Sequence, residues 1–311
     1  MELKGGSNGF LRLGPMSDGL SRNVKLTVEY DGTNYLGWQR QPQGMTVQQA
    51  LEGGIEQVVG HHVRLYGSGR TDAGVHALGQ VANFRTSSGI PAERFHLAIN
   101  RVIPDDIVVL RAEDVALDFH ARYSAKRKTY RYSIVCRPVR LAVGARYVHW
   151  LRRPLDVERM RAAAAQFLGE HDFAAFAKKR GVAIADWRSQ IADCNSEITN
   201  LQSEIPWGKR PAGAGRWTVR TVSRCDVEVA GERIDCYVAS NGFLYNMVRA
   251  MVGTLIEVGQ GKRPAEQIRE LLASGAHCRQ WAPDCRQWAP RRLVGRTAPA
   301  KGLCLMSVEY E

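Results

Sequence analysis

No stretch of this chain approaches the roughly eighteen apolar residues that a membrane-spanning helix needs. The opening segment, MELKGGSNGFLRLGPMSDGLSRN, also lacks the apolar centre of a secretory leader, so a soluble, cytoplasmic protein with no membrane partner is expected. Cysteine is sparse. Its seven positions (136, 194, 225, 236, 278, 285 and 304) form no Cys-x-x-Cys pair, and no histidine stands at zinc-finger spacing. That pattern argues against a disulfide framework or a zinc module and for free thiols in a reducing compartment. Phosphate loops are missing as well: no Gly-x-x-x-x-Gly-Lys-Ser/Thr occurs, and no Gly-x-Gly-x-x-Gly opens a helix. Between His120 and Leu155 there is no aspartate or glutamate at all.

Positive charge fills that gap. Ten Lys or Arg residues (122, 126, 127, 128, 131, 137, 140, 146, 152 and 153) lie in it, interleaved with Tyr123, Tyr130, Tyr132, Tyr147 and Trp150. Cations that hold phosphates and rings that stack bases suit a nucleic-acid surface, whereas a run of Lys and Arg alone is more often a solvated face. The whole chain agrees, with 43 Lys plus Arg against 31 Asp plus Glu, a net charge of +12 and a sequence pI near 9.6. At 311 residues and 44% apolar content, two domains or two halves sharing a sheet are expected, with ample material for a core.

Residues 1–22 are rich in Gly and Ser and aperiodic, and read as a flexible extension. In VKLTVEY, Val24, Leu26, Val28 and Tyr30 alternate with polar residues at strand period. Thr46 and Gln49 have capping-box spacing ahead of a stripe formed by Val47, Leu51, Ile55 and Val58, which predicts a helix. Further strands are expected near 63–67, 79–86, 106–112 and 129–136, with a helix over about 92–101. The second half repeats the alternation. A helix starts at Asp156, a hairpin turns at Ala230-Gly231, a helix covers about 246–258, a short one begins near Pro264, and LCLMSVEY is a final strand. The fold class is therefore α+β, with helices on one face of a largely antiparallel sheet.

Two segments look inserted. From Asp186 to Pro206, Trp187, Ile191, Cys194, Ile198, Leu201 and Ile205 follow a heptad seam, a helix expected to pack on the protein or on a second subunit. At 278–290 the unit CRQWAP is written twice, which reads as a local duplication in a surface loop, with a Cys278–Cys285 pair as the alternative.

The residues GSGRTDAGVHA at 67–77 carry the sharpest chemical signal. A bare turn explains three glycines but not Arg70 and Asp72 two places apart in one loop. An exposed aspartate is ionised at neutral pH without help, whereas a carboxyl enclosed in a base-sized pocket is not, so a neighbouring arginine points to an enclosed carboxylate. Glycines beside it would let the backbone take tight conformations and let a bulky substrate come close. Arg70 cannot be the sole partner, because a tight two-pronged pair would hide the attacking oxygen.

This segment, extended to GSGRTDAGVHALGQVANF, resembles the catalytic motif of the TruA-type tRNA pseudouridine synthases. EYDGTNYLGWQRQ with TVQ after it, DFHARYSAKRKTYRY, FLGEHDFAAF, NGFLYNMVRAMVGTLIEVGQG and RTAPAKGLCLMSVEY agree in family order, from about residue 23 to 311. The resemblance implies two similar ferredoxin-like α/β halves sharing an antiparallel sheet, with a central cleft. It implies isomerisation of uridine to pseudouridine in the tRNA anticodon stem-loop, at tRNA positions 38–40, by a homodimer that needs no metal or cofactor. Asp72 matches the nucleophile and Arg70 its ion-pairing arginine. Tyr130 matches the residue that stacks on the target uracil, a candidate general base, and Arg249 a second arginine near the aspartate. The last suits an otherwise apolar helix, where a charge needs a partner.

The expected organisation is a half at 23–116 carrying Asp72 and a half at 117–311 carrying the basic stretch and Arg249, with insertions near 182–218 and 276–292. Residues expected to touch RNA are Tyr130, His76, Arg122, Lys126, Arg127, Lys128 and Arg131. Cys304 stands where the family has an aromatic, a change expected to alter packing near the cleft. A non-catalytic RNA-binding module or RNA chaperone of the same fold is the alternative, though such a protein has no use for Asp72, Arg70, Tyr130 and Arg249. A nucleotide hydrolase built on the glycine loop lacks the required lysine.

Overall fold

The computed structural model describes residues 21–177, 218–273 and 294–311. The heptad segment 186–206, the doubled CRQWAP unit and residues 1–20 lie outside the described residues. In chain order the elements are β1 (Arg22–Tyr30), α1 (Val47–Val59), β2 (Tyr66–Gly67), β3 (His76–Thr86), α2 (Ala92–Ile99), β4 (Ile107–Val115), β5 (Arg127–Cys136), β6 (His149–Leu151), α3 (Val157–Ala165), β7 (Gly169–Asp172), β8 (Val219–Ala230), β9 (Arg233–Ser240), α4 (Met247–Gly259) and β10 (Leu303–Glu309). Residues 267–273 are also helical.

One sheet runs through the molecule in the order β4-β1-β3-β10-β5-β9-β8-β7, with β2 beside β3 and β6 beside β5. Pairing is antiparallel except for β10 with β3 and β6 with β5. Two halves are visible in it. In the first, β1, β2, β3 and β4 stand in the spatial order fourth, first, third, second, with α1 and α2 as the connecting helices. In the second, β5, β8, β9 and β10 stand in the same order, with α3 and α4 between them. Both are ferredoxin-like βαββαβ units, and β10 closes the second while lying against β3 of the first.

The local signals explain most of these elements. Val24, Leu26, Val28 and Tyr30 are buried on β1, and Val47, Leu51 and Ile55 on α1, within one core cluster that also takes Tyr130, Tyr132 and Ile134 from β5 and Val248, Met251, Val252 and Leu255 from α4. Thr46 caps α1, its Oγ1 accepting from Gln49 N at 3.3 Å. Several boundaries differ, three of them for a visible reason. β1 opens at Arg22 rather than Val24, because Arg22 pairs with Thr86 and binds Asp114 through Nε at 2.7 Å. The strand expected over 63–67 shrinks to β2, because Leu65 N donates to the buried Glu52 carboxylate at 3.0 Å instead of to a strand. The hairpin turns on Gly231 and Glu232, one residue later than expected, with Ala230 opposite Arg233.

β10 sits at the seam of both halves, and Leu305 on it is 1% exposed. Leu305→Ala should lower unfolding free energy by about 3 kcal/mol. Denaturant titration should show the two halves still unfolding in one transition, since they share this strand.

Candidate active site

The 68–75 loop enters from β2 and leaves into β3, at the edge where β3 meets β10. Its backbone is held from four directions. Trp38 N donates to Thr71 O at 3.1 Å, Ser68 N to Val81 O at 2.7 Å, Gln80 Nε2 to Gly69 O at 3.1 Å, and Lys128 Nζ to Ser68 O. Tyr30, buried on β1, shares a 2.8 Å hydrogen bond with Thr71 Oγ1. Asp72 is thereby presented on a fixed loop, and its own carbonyl accepts from Val75 N at 3.1 Å. The glycines are explained by this packing: a Cβ at Gly67 would lie 2.3 Å from the Trp38 indole nitrogen, and Gly74 takes φ of +75° in the turn into β3. Gly67 and Gly74 thereby let the loop backbone pack and turn tightly.

Arg249 comes from the second half. Its Nη1 donates to Asp72 Oδ2 at 2.8 Å, with side-chain exposures of 18% and 20%, so the pair is sheltered but reachable. Oδ1 makes no hydrogen bond among the described residues. The guanidinium thus grips one oxygen and leaves the other outside this pair. Two further bonds aim the arginine: Nε donates to Ala298 O at 2.8 Å and Nη1 to Asn246 Oδ1 at 2.8 Å. Asn246 holds φ of +61° at the start of α4, a left-handed conformation that asparagine tolerates better than most side chains. Ala298 is placed by Gly253, since residues 294–298 cross α4 where a Cβ would meet the Arg296 carbonyl oxygen at 1.8 Å. Arg70 lies exposed on the same loop as Asp72.

Tyr130 is 7% exposed, edge-on to Phe243 with centroids 5.1 Å apart. Burial above all, then Tyr30 and the Asp72 charge, push its phenol far above the ordinary range. A phenol held neutral offers a ring and a proton, which favours stacking over the general-base role. Strand alternation places Lys128 and Tyr132 on the face of Tyr130 and turns Arg127 and Arg131 to the opposite face. Arg127 binds Glu309 through Nε at 2.9 Å there. The basic stretch is therefore not one surface, and these two arginines do not share the sheet face of Tyr130.

His76, expected to touch RNA, is 6% exposed; Gly32 N donates to its Nδ1 at 3.1 Å, and Nε2 lies 3.1 Å from Arg146 O. With both ring nitrogens engaged it is a strut between the start of β3 and the β5–β6 connection. Arg122 and Lys126 are exposed, as a phosphate contact requires. Lys128 is mostly enclosed, and burial, with Arg122 second, pulls its ammonium down to about 8. Cys304 is buried, in register with His76 and Arg131. The thiols of Cys136, Cys225, Cys236 and Cys304 are free. Among the described residues no three His, Cys, Asp or Glu side chains gather as a metal site, and no helix is long and apolar enough to cross a membrane.

Sequence reading missed Trp38, Tyr30, Gln80 and Asn246, which hold the site without chemistry of their own. Their signal was present only as the blocks EYDGTNYLGWQRQ and NGFLYNMVRAMVG, whose purpose is spatial.

Comparison with known proteins points to one family. A family model described as tRNA pseudouridine synthase matches residues 26–124 and 208–311. The tRNA pseudouridine synthase A 2 of Clostridium perfringens is 42% identical over 289 residues, covering 93% of this chain and 100% of that one. The tRNA pseudouridine synthase A of Acetivibrio thermocellus is 42% identical over the same shares. That of Syntrophotalea carbinolica is 43% identical over 287 residues, 92% of this chain and 96% of its own.

Two substitutions test the scaffold. Alanine normally improves a helix over glycine by about 1 kcal/mol, but Gly253→Ala should destabilise the protein by about 2 kcal/mol or more, because backbone must move to admit the methyl. Thermal melting reads the sign. For Lys128, the unfolded chain keeps a proton up to the ordinary 10.5 that the folded chain gives up near about 8. Its contribution to stability therefore improves as pH rises between those values. The stability of wild type relative to Lys128→Met should shift toward wild type between about pH 7 and 10, and a flat difference would contradict the burial.

Proposed function

The chain belongs to the tRNA pseudouridine synthase family, and from that premise we propose that it isomerises uridine to pseudouridine in the anticodon stem-loop of tRNA, acting as a homodimer. The observation that carries the reading is the Arg249–Asp72 pair at 2.8 Å, formed between the two halves, with the other carboxylate oxygen making no hydrogen bond among the described residues. A protein that only bound RNA would gain nothing from enclosing a carboxylate, which repels phosphate.

In the reaction the N1–C1′ bond of the target uridine breaks, the uracil turns, and C5 bonds to C1′. Asp72 serves either by attack of its oxygen at C1′, with the electron pair of the broken bond leaving on uracil N1, or by taking a proton from C2′. Both need a bare carboxylate oxygen facing the sugar, and Oδ1 supplies it. Arg249 fixes the carboxylate's orientation through Oδ2, so no reorganisation is needed as charge develops. Arg70 adds positive charge at the mouth, two residues away. The uridine must leave its stack to reach this depth, at a cost of a few kcal/mol that an aromatic platform offsets. Tyr130, neutral and next to Phe243, provides that platform. Arg122 and Lys126 take phosphates in this reading, which their exposure supports.

Transcripts of tRNA carrying tritium at uridine C5 test this directly, since C5 loses its hydrogen when it becomes the glycosidic carbon. Wild type should release label to water, and Asp72→Asn should reduce release by about four orders of magnitude or more while retaining tRNA affinity within a few-fold. No release by wild type would overturn the function; undiminished release by Asp72→Asn would overturn the nucleophile.

A further inference from the structure

A group of rings outside the pocket is used by none of these steps. Tyr66 on β2, His120 and Tyr123 form a continuous ladder, with centroids 5.1 Å apart at 52° for the first pair and 4.4 Å apart at 44° for the second. Arginines flank both ends: the guanidinium of Arg64 is 5.4 Å from the Tyr66 centroid and that of Arg122 is 5.6 Å from the Tyr123 centroid. The ladder is built, not incidental. A tight turn sets His120 beside Tyr123, with Ser124 N donating to His120 O at 2.9 Å and His120 N to Ser124 Oγ at 3.2 Å. Arg122 N donates to His120 Nδ1 at 3.1 Å, which makes that nitrogen an acceptor, and burial with the Arg122 charge pulls the imidazole toward its neutral form.

Two features point to a ligand. Rings assembled only for packing are normally enclosed, yet Tyr123 is 64% exposed and Tyr66 36%. The segments that carry them are basic, since no Asp or Glu occurs in residues 57–71 or 119–155. Exposed π faces rimmed by guanidiniums fit a nucleobase and its phosphate. The location fits as well. Tyr66 precedes Asp72 by six residues, which span at most about 20 Å, and Arg122 is near enough to depress Lys128, which itself clamps the loop at Ser68.

We propose that the Tyr66–His120–Tyr123 ladder, with Arg64 and Arg122, is a stacking subsite for one unpaired nucleotide that neighbours the target uridine in the tRNA. The proposal rests on the tRNA-uridine reading above and extends it. While Tyr130 receives the extruded uridine inside the pocket, the ladder takes a second base outside it, so the opened strand is held at two points and does not restack.

The full-length protein and tRNA transcripts carrying a single 2-aminopurine, moved through each position within three nucleotides of the target, provide the test. Stacking on a ring changes the emission of this base. One position should respond on binding to wild type, keep its response with Tyr123→Phe, and lose it with Tyr123→Ala, whose tRNA Kd should rise about ten-fold. Tyr123 is largely exposed, so the alanine variant should melt with wild type and can be compared directly. If wild type binds tRNA and releases tritium but no position shows an emission change that depends on Tyr123, the subsite is wrong and the proposed function stands. If wild type neither binds nor modifies tRNA, both fall.

Discussion

The ion pair between Arg249 and Asp72 joins segments 177 residues apart, one from each half of the chain. A charge inside an apolar helix such as α4 is tolerable only with a partner, and a carboxylate on an enclosed loop carries the same demand. Each residue answers the other's requirement, so the halves cannot separate without leaving both unmatched. The supporting contacts follow from that pairing. Trp38, Tyr30, Gln80 and Lys128 immobilise the loop on one side; Asn246, Ala298 and the bare surface of Gly253 aim the guanidinium on the other. Strand β10 supports the junction because it pairs with β3 of the first half and β5 of the second.

How far this was legible in the sequence depends on the range over which each signal acts. Alternation in VKLTVEY and the Thr46 cap are local, and the structure places β1 and α1 where they indicate. Asp72 and Arg249 stood out because each is a charge in an unsuitable setting, and they meet. What local pattern could not show is direction. In the basic stretch every other residue of β5 turns away, so Arg127 goes to Glu309 and Arg131 to the opposite face while Lys128 folds back onto Ser68. His76 has the composition of a binding residue and the position of a strut, and only the approach of Gly32 and Arg146 reveals it. The glycines of GSGRTDAGVHA were legible as a need for space; that the space at Gly67 is occupied by the Trp38 indole was not.

The same directional effect divides the surface by task. Enclosed groups, Lys128 and His76 among them, fix the frame, whereas Arg122, Lys126 and the tyrosines of the ring ladder remain outside where a polyanion can meet them. The ladder depends on the turn over 120–124 and on β2, a strand of only two residues on which Tyr66 is 36% exposed. A loop rigid enough to hold a carboxylate and a rim open enough to take RNA thus arise from neighbouring segments of one chain.

The central claim is that the free oxygen of Asp72 faces the sugar of a uridine drawn out of its stack. A crystal structure of Asp72→Asn bound to unmodified tRNA tests it most directly. The account expects the uridine in the cleft between the halves, its C1′ or C2′ within about 3.5 Å of the residue 72 side chain and its base against Tyr130. A target uridine still stacked within the RNA, or extruded to a place away from Arg249 and residue 72, would contradict it.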